Sequence, residues 1–251
     1  MKAAFSALLI ATFLFSCREM DTQPLNIGHR GARGHIAENT VASVEKAIEL
    51  GVDGVEIDVF RCKSGEVVVI HDTTLDRTTN ASGKVEDFTL AQLKEVVVEE
   101  HYTIPTLQEV LDVLSPGMLL NVELKGSNTA ETVSDILQEY IRDKGWKTED
   151  FIISSFSWEE LKDFYLYDKE LPIGILTEGD PEDAIPIAKE LQAKAIHPNH
   201  KDLDRRNVKA IHDQGLKVYT WTVNTPLFIK RMKAIGVDGI ITDYPERVNE
   251  D

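Results

Sequence analysis

Gly54-Val55-Glu56-Ile57-Asp58-Val59 sets acidic side chains into an apolar, strand-like run at alternate positions. Side chains of a strand alternate between faces, so Glu56 and Asp58 must point the same way. A second run, Asn121-Val122-Glu123-Leu124-Lys125, does the same with Glu123 and Lys125. Around Val55–Val59 and Leu119–Leu124 stand six more short β-prone runs: Asn26–Gly28, Phe151–Ser155, Ile173–Leu176, Ala195–His197, Val218–Thr222 and Gly239–Thr242. Amphipathic helical stretches separate them, which favours a parallel α/β architecture. Val41, Val44, Ala47 and Ile48 share one helix face before Gly51, and Thr106/Glu109 and Ser157/Glu160 have capping-box spacing. Eight strands with helix-length links and no second compositional regime predict a (β/α)8 TIM barrel, whose usual size is about 250 residues. A doubly wound open sheet is the alternative, but no Gly-x-Gly-x-x-Gly follows the first strand and no phosphate-binding P-loop occurs.

The pattern is interrupted once. Val67–Ile70 reads as an extra strand returning from a Ser64-Gly65 turn, and residues 73–104 hold a short helix from Thr89. This predicts a small insertion between the second and third barrel strands, of a length often used for functional lids. The chain stops soon after the eighth strand, so the last helix is expected to be short or displaced.

The formal charge of -16, from 43 acidic against 27 basic residues, excludes a nucleic-acid partner, because duplex binding needs clustered Lys and Arg and no basic stripe is present. An anionic substrate would need a local positive site of a metal ion and a few cations. At the N-terminus, Lys2 is followed by an apolar run from Ala3 to Phe15, too short to span a bilayer but suited to the core of a signal peptide. Residues 1–16 are therefore expected to be an export signal. The end, Leu14-Phe15-Ser16-Cys17, resembles a lipoprotein lipobox in which Cys17 is lipidated; a cleaved, fully secreted protein is the alternative. Residues 17–24 read as a tether before a domain at 25–251, giving an exported, membrane-anchored lipoprotein, periplasmic or at the cell surface. Cys62 would then be the sole free thiol, so no intrachain disulfide is expected.

Glu56, Asp58 and Glu123 sit near the carboxyl ends of their strands, the face where barrel active sites are built. Three converging carboxylates repel one another unless a cation joins them, and oxygen-only ligands favour Ca²⁺ or Mg²⁺ over zinc. Pairing with Lys125 or capping of a barrel layer is the other explanation. His29 and Arg30 end the first strand between Gly28 and Gly31, and His71 ends the extra strand, followed by Asp72. Two imidazoles flanking a metal-bound phosphate can divide acid and base roles. Arg30 and Lys125 suit phosphate oxygens or, equally, neighbouring carboxylates. Glu38 can face the site, while Asn39 and Thr40 fit a helix cap as well as catalysis. Trp221 ends the seventh strand and either walls a small substrate or fills the core. His197 and His200, flanking Pro198, are expected at the rim.

These runs, in this order, resemble the glycerophosphodiester phosphodiesterase family over nearly the whole chain from Ile27 to Pro245. The supporting pieces are His29-Arg30-Gly31, Glu38-Asn39-Thr40, Gly54 to Val59, Val69-Ile70-His71-Asp72 with Leu75-Asp76-Arg77, Pro105-Thr106-Leu107, Asn121 to Lys125, Trp221-Thr222-Val223-Asn224 and Asp238 to Pro245. The resemblance implies a barrel with a small insertion, a divalent metal held by Glu56, Asp58 and Glu123, and His29 and His71 as the acid/base pair. It also implies hydrolysis of glycerophosphodiesters to an alcohol and sn-glycerol 3-phosphate, with the neighbouring glycerol hydroxyl as nucleophile and a cyclic phosphate between. Two positions depart from the family pattern. Ala37 stands where Pro is usual, and Arg61-Cys62-Lys63-Ser64-Gly65 replaces a Thr-Lys-Asp-Gly turn. Neither removes a proposed catalytic group; both bear on headgroup preference.

Two rival functions share the scaffold. A phosphodiesterase for lyso-phospholipids at the membrane would reuse the metal and the His pair but needs an apolar lip, for which Phe88, Leu90 and Leu93 are a modest source. A lipid-anchored binding protein without turnover has no need of the His pair. A glycosidase needs two opposed carboxylates, which the seventh strand does not offer. The oligomeric state stays open at this level.

Overall fold

The computed structural model describes residues 23–250, so the expected signal peptide, Cys17 and most of the tether lie outside the described residues. Among the described residues the strands are β1 (Leu25–His29), β2 (Gly54–Arg61), β3 (Val67–Val69), β4 (Val97–Val98), β5 (Tyr102–Thr103), β6 (Leu119–Leu124), β7 (Phe151–Ser155), β8 (Ile173–Thr177), β9 (Ala195–Pro198), β10 (Lys217–Thr220) and β11 (Gly239–Thr242). The helices are α1 (Val41–Glu49), α2 (Leu90–Lys94), α3 (Leu107–Leu111), α4 (Ala130–Asp143), α5 (Trp158–Tyr167), α6 (Ile185–Glu190), α7 (Arg205–His212), α8 (Pro226–Ile235) and α9 (Glu246–Asn249). Strands β1, β2 and β6 to β11 pair in parallel, and β1 pairs with both β11 and β2, which closes an eight-stranded (β/α)8 TIM barrel. Closure leaves no free edge among the eight.

The insertion lies between the second and third barrel strands. β2 runs on past the barrel and pairs antiparallel with β3 through Val59, Phe60 and Arg61. Around that extension Phe60, Val68, Leu75, Val85, Leu93 and Ile104 form a separate small core. Thr89 and Thr106 each close a capping box on α2 and α3. At α5 the expected box is half made: Ser157 caps Glu160, but the Glu160 carboxylate turns to accept from Thr129 and Ala130 at the start of α4. The final helix, α9, has four residues, as the short remaining chain predicts. Among the described residues no helix is long and apolar enough to cross a membrane.

The main apolar core lies between barrel and helices, and a second fills the barrel with Ile27, Ile152, Ala195, Tyr219 and Ile241. Strand alternation puts His197 among these inward positions, fully buried and against the Tyr219 ring at 5.3 Å, instead of at the rim as its strand-end position suggests. Gly174 on the neighbouring strand makes the room, since a Cβ there would lie inside contact distance of the His197 ring. His200 is also buried, its Nδ1 3.2 Å from the Trp221 carbonyl.

Among the described residues neither ring nitrogen of His197 has a partner, and burial pulls its pKa down to about 3. The folded state therefore refuses a proton that the unfolded chain accepts below about 6.5, its ordinary value. The resulting stability is fully present above that pH and is lost, by about 1.4 kcal/mol per unit, as pH falls toward 3. His197→Leu should remove this component. Between pH 7 and pH 5 the unfolding free energy of wild type, relative to the variant, is expected to drop by about 2 kcal/mol; a difference that does not move with pH shows that the ring is not held neutral.

Candidate active site

The barrel register assembles the site. His29 on β1 lies beside Glu56 on β2, and Asp58 on β2 lies beside Glu123 on β6. All occupy inward positions near the carboxyl ends of their strands, so the three carboxylates meet at the mouth, with one oxygen of each within 4.8 Å of the others. They are only 3, 1 and 8% exposed. Burial, reinforced by Asp58 and Glu123, pushes the Glu56 carboxyl well above its ordinary range. Burial and Asp58 push Glu123 up to about 7, against the pull of Lys125. Lys125 donates to Glu123 Oε1 at 2.8 Å and stands 3.9 Å from Asp58. Burial works against its charge, but Glu123 and Asp58 outweigh it and hold the ammonium above its usual pKa.

The turn after β1 supplies the opposing charges. Arg30 and Gly31 both have positive φ, 52° and 81°, and fold the chain back so that the Arg30 N–H donates to Glu56 Oε2 at 3.0 Å. Gly31 is required there, since a Cβ would meet the Ser43 backbone at 2.5 Å. A left-handed Arg is strained by about 1–2 kcal/mol, held in place by its contacts. Arg30 Nη1 donates to Glu38 Oε1 at 2.7 Å, and Nε lies 3.3 Å from Asp58 Oδ2. Asn39, also left-handed at φ 57°, donates from Nδ2 to Asp58 Oδ2 at 2.8 Å and accepts the Asp58 N–H. Thr40 alone caps α1. The sequence left capping and site roles open for both, and the structure divides them.

The two imidazoles are held alike. His29 Nδ1 is 2.6 Å from Asp243, and its Nε2 accepts from Arg30 Nε at 3.2 Å. His71 Nδ1 is 2.5 Å from Asp72, and its Nε2 lies 3.3 Å from Lys125 Nζ. Guanidinium and ammonium can only donate, which assigns the proton to Nδ1 in both rings and leaves the Nε2 lone pairs toward the cavity. Burial lowers both pKa values, which favours the neutral rings.

His29, Arg30, Glu56, His71, Glu123, Lys125 and Trp221 line one cavity of about 170 Å³. Trp221 donates from Nε1 to the His197 carbonyl at 2.7 Å, which fixes its ring as a wall. Asp58 lies just behind, within the carboxylate cluster. Glu38 stands behind Arg30 with both oxygens occupied by Arg30, Arg33 and Arg77, so it reaches the cavity through Arg30. Those arginines bring its pKa down to about 2 despite burial.

Residues that carried no role in the sequence also belong here. Asp243 anchors His29 and is itself held by Asn224 Nδ2 at 2.7 Å. Arg33 and Phe156 line the cavity, Phe156 meeting Trp221 edge to face at 5.3 Å. Asp243 and Phe156 directly follow β11 and β7, so their position at strand ends was the available signal. With every carboxylate ionised, Glu38, Glu56, Asp58, Asp72, Glu123 and Asp243 face Arg30, Arg33, Arg77 and Lys125. That leaves a formal excess of two negative charges, the charge of one divalent cation.

Residues 29–247 match the model of the glycerophosphoryl diester phosphodiesterase family. The chain is 37% identical over 231 residues to a glycerophosphodiester phosphodiesterase of Caldanaerobacter subterraneus subsp. tengcongensis, covering 88% of this chain and 95% of that protein. It is 27% identical over 267 residues to a lysophospholipase D of Mus musculus, covering 90% and 85%. A phosphodiesterase of Oleispira antarctica, solved in complex with the product sn-glycerol-3-phosphate, superposes with a TM-score of 0.81 at 29% identity, covering 90% and 96%. The chain belongs to the glycerophosphoryl diester phosphodiesterase family, phosphodiester hydrolases built on this barrel.

Proposed function

We propose that this protein hydrolyses glycerophosphodiesters to an alcohol and sn-glycerol 3-phosphate, using one divalent cation and a pair of histidines. The observation that carries this reading is the pairing of two carboxylate-anchored imidazoles around a buried acidic cluster in a small cavity. Glu56 Oε1 and Asp58 Oδ1 are buried without hydrogen-bond partners among the described residues, which fits a cation and is costly without one. Glu56, Asp58 and Glu123 would hold it, and an all-oxygen set suits Ca²⁺ or Mg²⁺. When bound, the ion supplies charge to polarise the phosphoryl group.

The chain's own groups do the rest. Arg30, gripped by Glu38, holds a rigid fork toward a phosphate oxygen, and Lys125 adds a point charge from the opposite side. One imidazole takes the nucleophile's proton at Nε2. The other, neutral at rest, must first take up a proton from water at Nε2, and as the imidazolium it hands that proton to the leaving alcohol. Asp243 and Asp72 keep each ring in the required tautomer and stabilise its cationic form. Trp221 and Phe156 offer an apolar wall to the glycerol or headgroup carbons.

Phe156, 43% exposed at the mouth, favours a second reading in which a lyso-phospholipid is cleaved with its acyl chain outside the cavity. The higher identity to a glycerophosphodiester phosphodiesterase, 37% against 27% to a lysophospholipase D, supports the glycerophosphodiester as the first reading. The lipobox-like end at Cys17 would hold the barrel beside the membrane from which such headgroups come.

The decisive experiment is release of glycerol 3-phosphate from glycerophosphocholine and glycerophosphoethanolamine with Ca²⁺ or Mg²⁺, then with chelator. Metal-dependent release is expected; no release from the folded protein with either ion overturns the reading and moves the assay to lyso-phospholipids. His29→Ala and His71→Ala should each lower kcat by at least about 100-fold while the protein stays folded. Full activity in either variant removes that residue from the proton transfers. Glu123→Gln should weaken the rise in melting temperature produced by the ion. Glu123 is raised to about 7, so its contribution to apo stability is present at low pH and lost as pH rises through about 7. Added ion should therefore stabilise wild type most above about pH 7 and progressively less below it, where protons compete. A pH-independent gain, unchanged in Glu123→Gln, returns Glu123 to a structural role.

A further inference from the structure

The insertion sends one residue into the network that the proposed reaction does not use. Arg77 follows β3 in the Leu75-Asp76-Arg77 run, and its guanidinium meets two acids at once. Nε and Nη2 donate to Asp72 at 2.5 and 3.1 Å. Nη1 and Nη2 donate to Glu38 at 3.1 and 2.7 Å. Each acid in turn grips a residue at the cavity wall: Asp72 holds His71 Nδ1 at 2.5 Å, and Glu38 holds Arg30 Nη1 at 2.7 Å.

We infer that Arg77 is a positioning residue that fixes the His71 imidazole and the Arg30 guanidinium simultaneously, through Asp72 and Glu38, and so makes assembly of the site depend on the seating of the insertion. This rests on the reading of His71 and Arg30 given above. Only arginine's planar fork reaches two carboxylates bidentately; a lysine is a point charge that can serve one.

Three observations support the assignment. The Arg77 side chain is 46% exposed, so its ion pairs contribute little to stability, and the contacts matter for orientation. Among the described residues Asp72 has no other permanent cation, whereas Glu38 also meets Arg33. The two imidazoles also differ in how their acids are supported. Asp243, which orients His29, is braced by Asn224 from the loop after β10. Asp72, which orients His71, is braced from the insertion, and Arg77 is the link that ties that side to the turn carrying Glu38. Loss of the link lets two site groups drift together, and a displacement of about 1 Å in a catalytic group lowers rate by roughly 100-fold.

The test compares steady-state kinetics, melting temperature and ¹⁵N imidazole NMR for wild type, Arg77→Gln, Arg77→Lys and Arg77→Gln placed in a Glu38→Gln/Asp72→Asn background. Arg77→Gln should lower kcat by roughly 10- to 100-fold, with a smaller change in KM and a melting temperature within about 2 °C of wild type. Arg77→Lys should recover part of the loss, and in the double-acid variant Arg77→Gln should have almost no further effect. The His71 resonances should shift or broaden in Arg77→Gln, with a smaller change at His29, whose Nε2 accepts from Arg30 Nε. The NMR arm reads the inference even if the tested diesters are not the substrate. Wild-type turnover with unchanged kcat in Arg77→Gln, equal losses in both backgrounds, an undisturbed His71 ring, or an unfolded Arg77→Gln each overturn it. Inactive wild type with a disturbed His71 ring overturns the proposed function alone.

Discussion

Three carboxylates buried within 4.8 Å of one another are the constraint to which the rest of this molecule answers. Left ionised and unpaired, they would destabilise the barrel mouth by several kcal/mol, because each has lost its hydration and faces like charge. The chain meets the problem with fixed cations and donors. Lys125 sits on Glu123, Asn39 and Arg30 sit on Asp58, and the Arg30 N–H sits on Glu56. Even so, two oxygens remain without hydrogen-bond partners among the described residues, and the raised pKa values of Glu56 and Glu123 record the shortfall. A cation-shaped deficit of this kind is a feature of a site kept for chemistry rather than stability.

The same constraint explains the strain nearby. Arg30 and Asn39 take left-handed backbone conformations that most residues avoid, and both point donors at the acidic cluster as a result. Stability is supplied elsewhere, by the apolar layer between barrel and helices and by the closed ladder of eight strands. Inside the barrel the packing is tight enough that Gly174 must lack a side chain for His197 to fit. Rigid walls of this sort let the loops and the insertion hold groups in place without supporting the fold.

Much of this was legible along the chain because strand alternation is a local property. All eight barrel strands lie within one or two residues of the expected runs; β10 ends at Thr220, and Trp221 continues in the same register as an isolated bridge to Asn199. The insertion, its extra strand and its capped helix were likewise readable from turn and capping residues. His197 was misplaced at the rim because its neighbour Gly174, which opens the space for it, is remote in sequence. The sequence offered Glu38 as able to face the site, but its shielding behind Arg30 was not legible, since Arg77, which joins Arg30 and Arg33 of the turn after β1 around it, comes from the insertion.

The order and spacing of residues by themselves determined the barrel, the direction in which Glu56, Asp58 and Glu123 point, and the end of the barrel at which the chemistry gathers. Those properties depend on a period of two and on parallel strands sharing one carboxyl end. Tertiary structure alone decided which acid holds which base. Asp243 reaches His29 across 214 residues because closure of the barrel sets β11 beside β1. Arg77 meets Glu38 because the insertion folds back over the first turn. Such pairings follow from ring closure and loop docking, which no local pattern encodes.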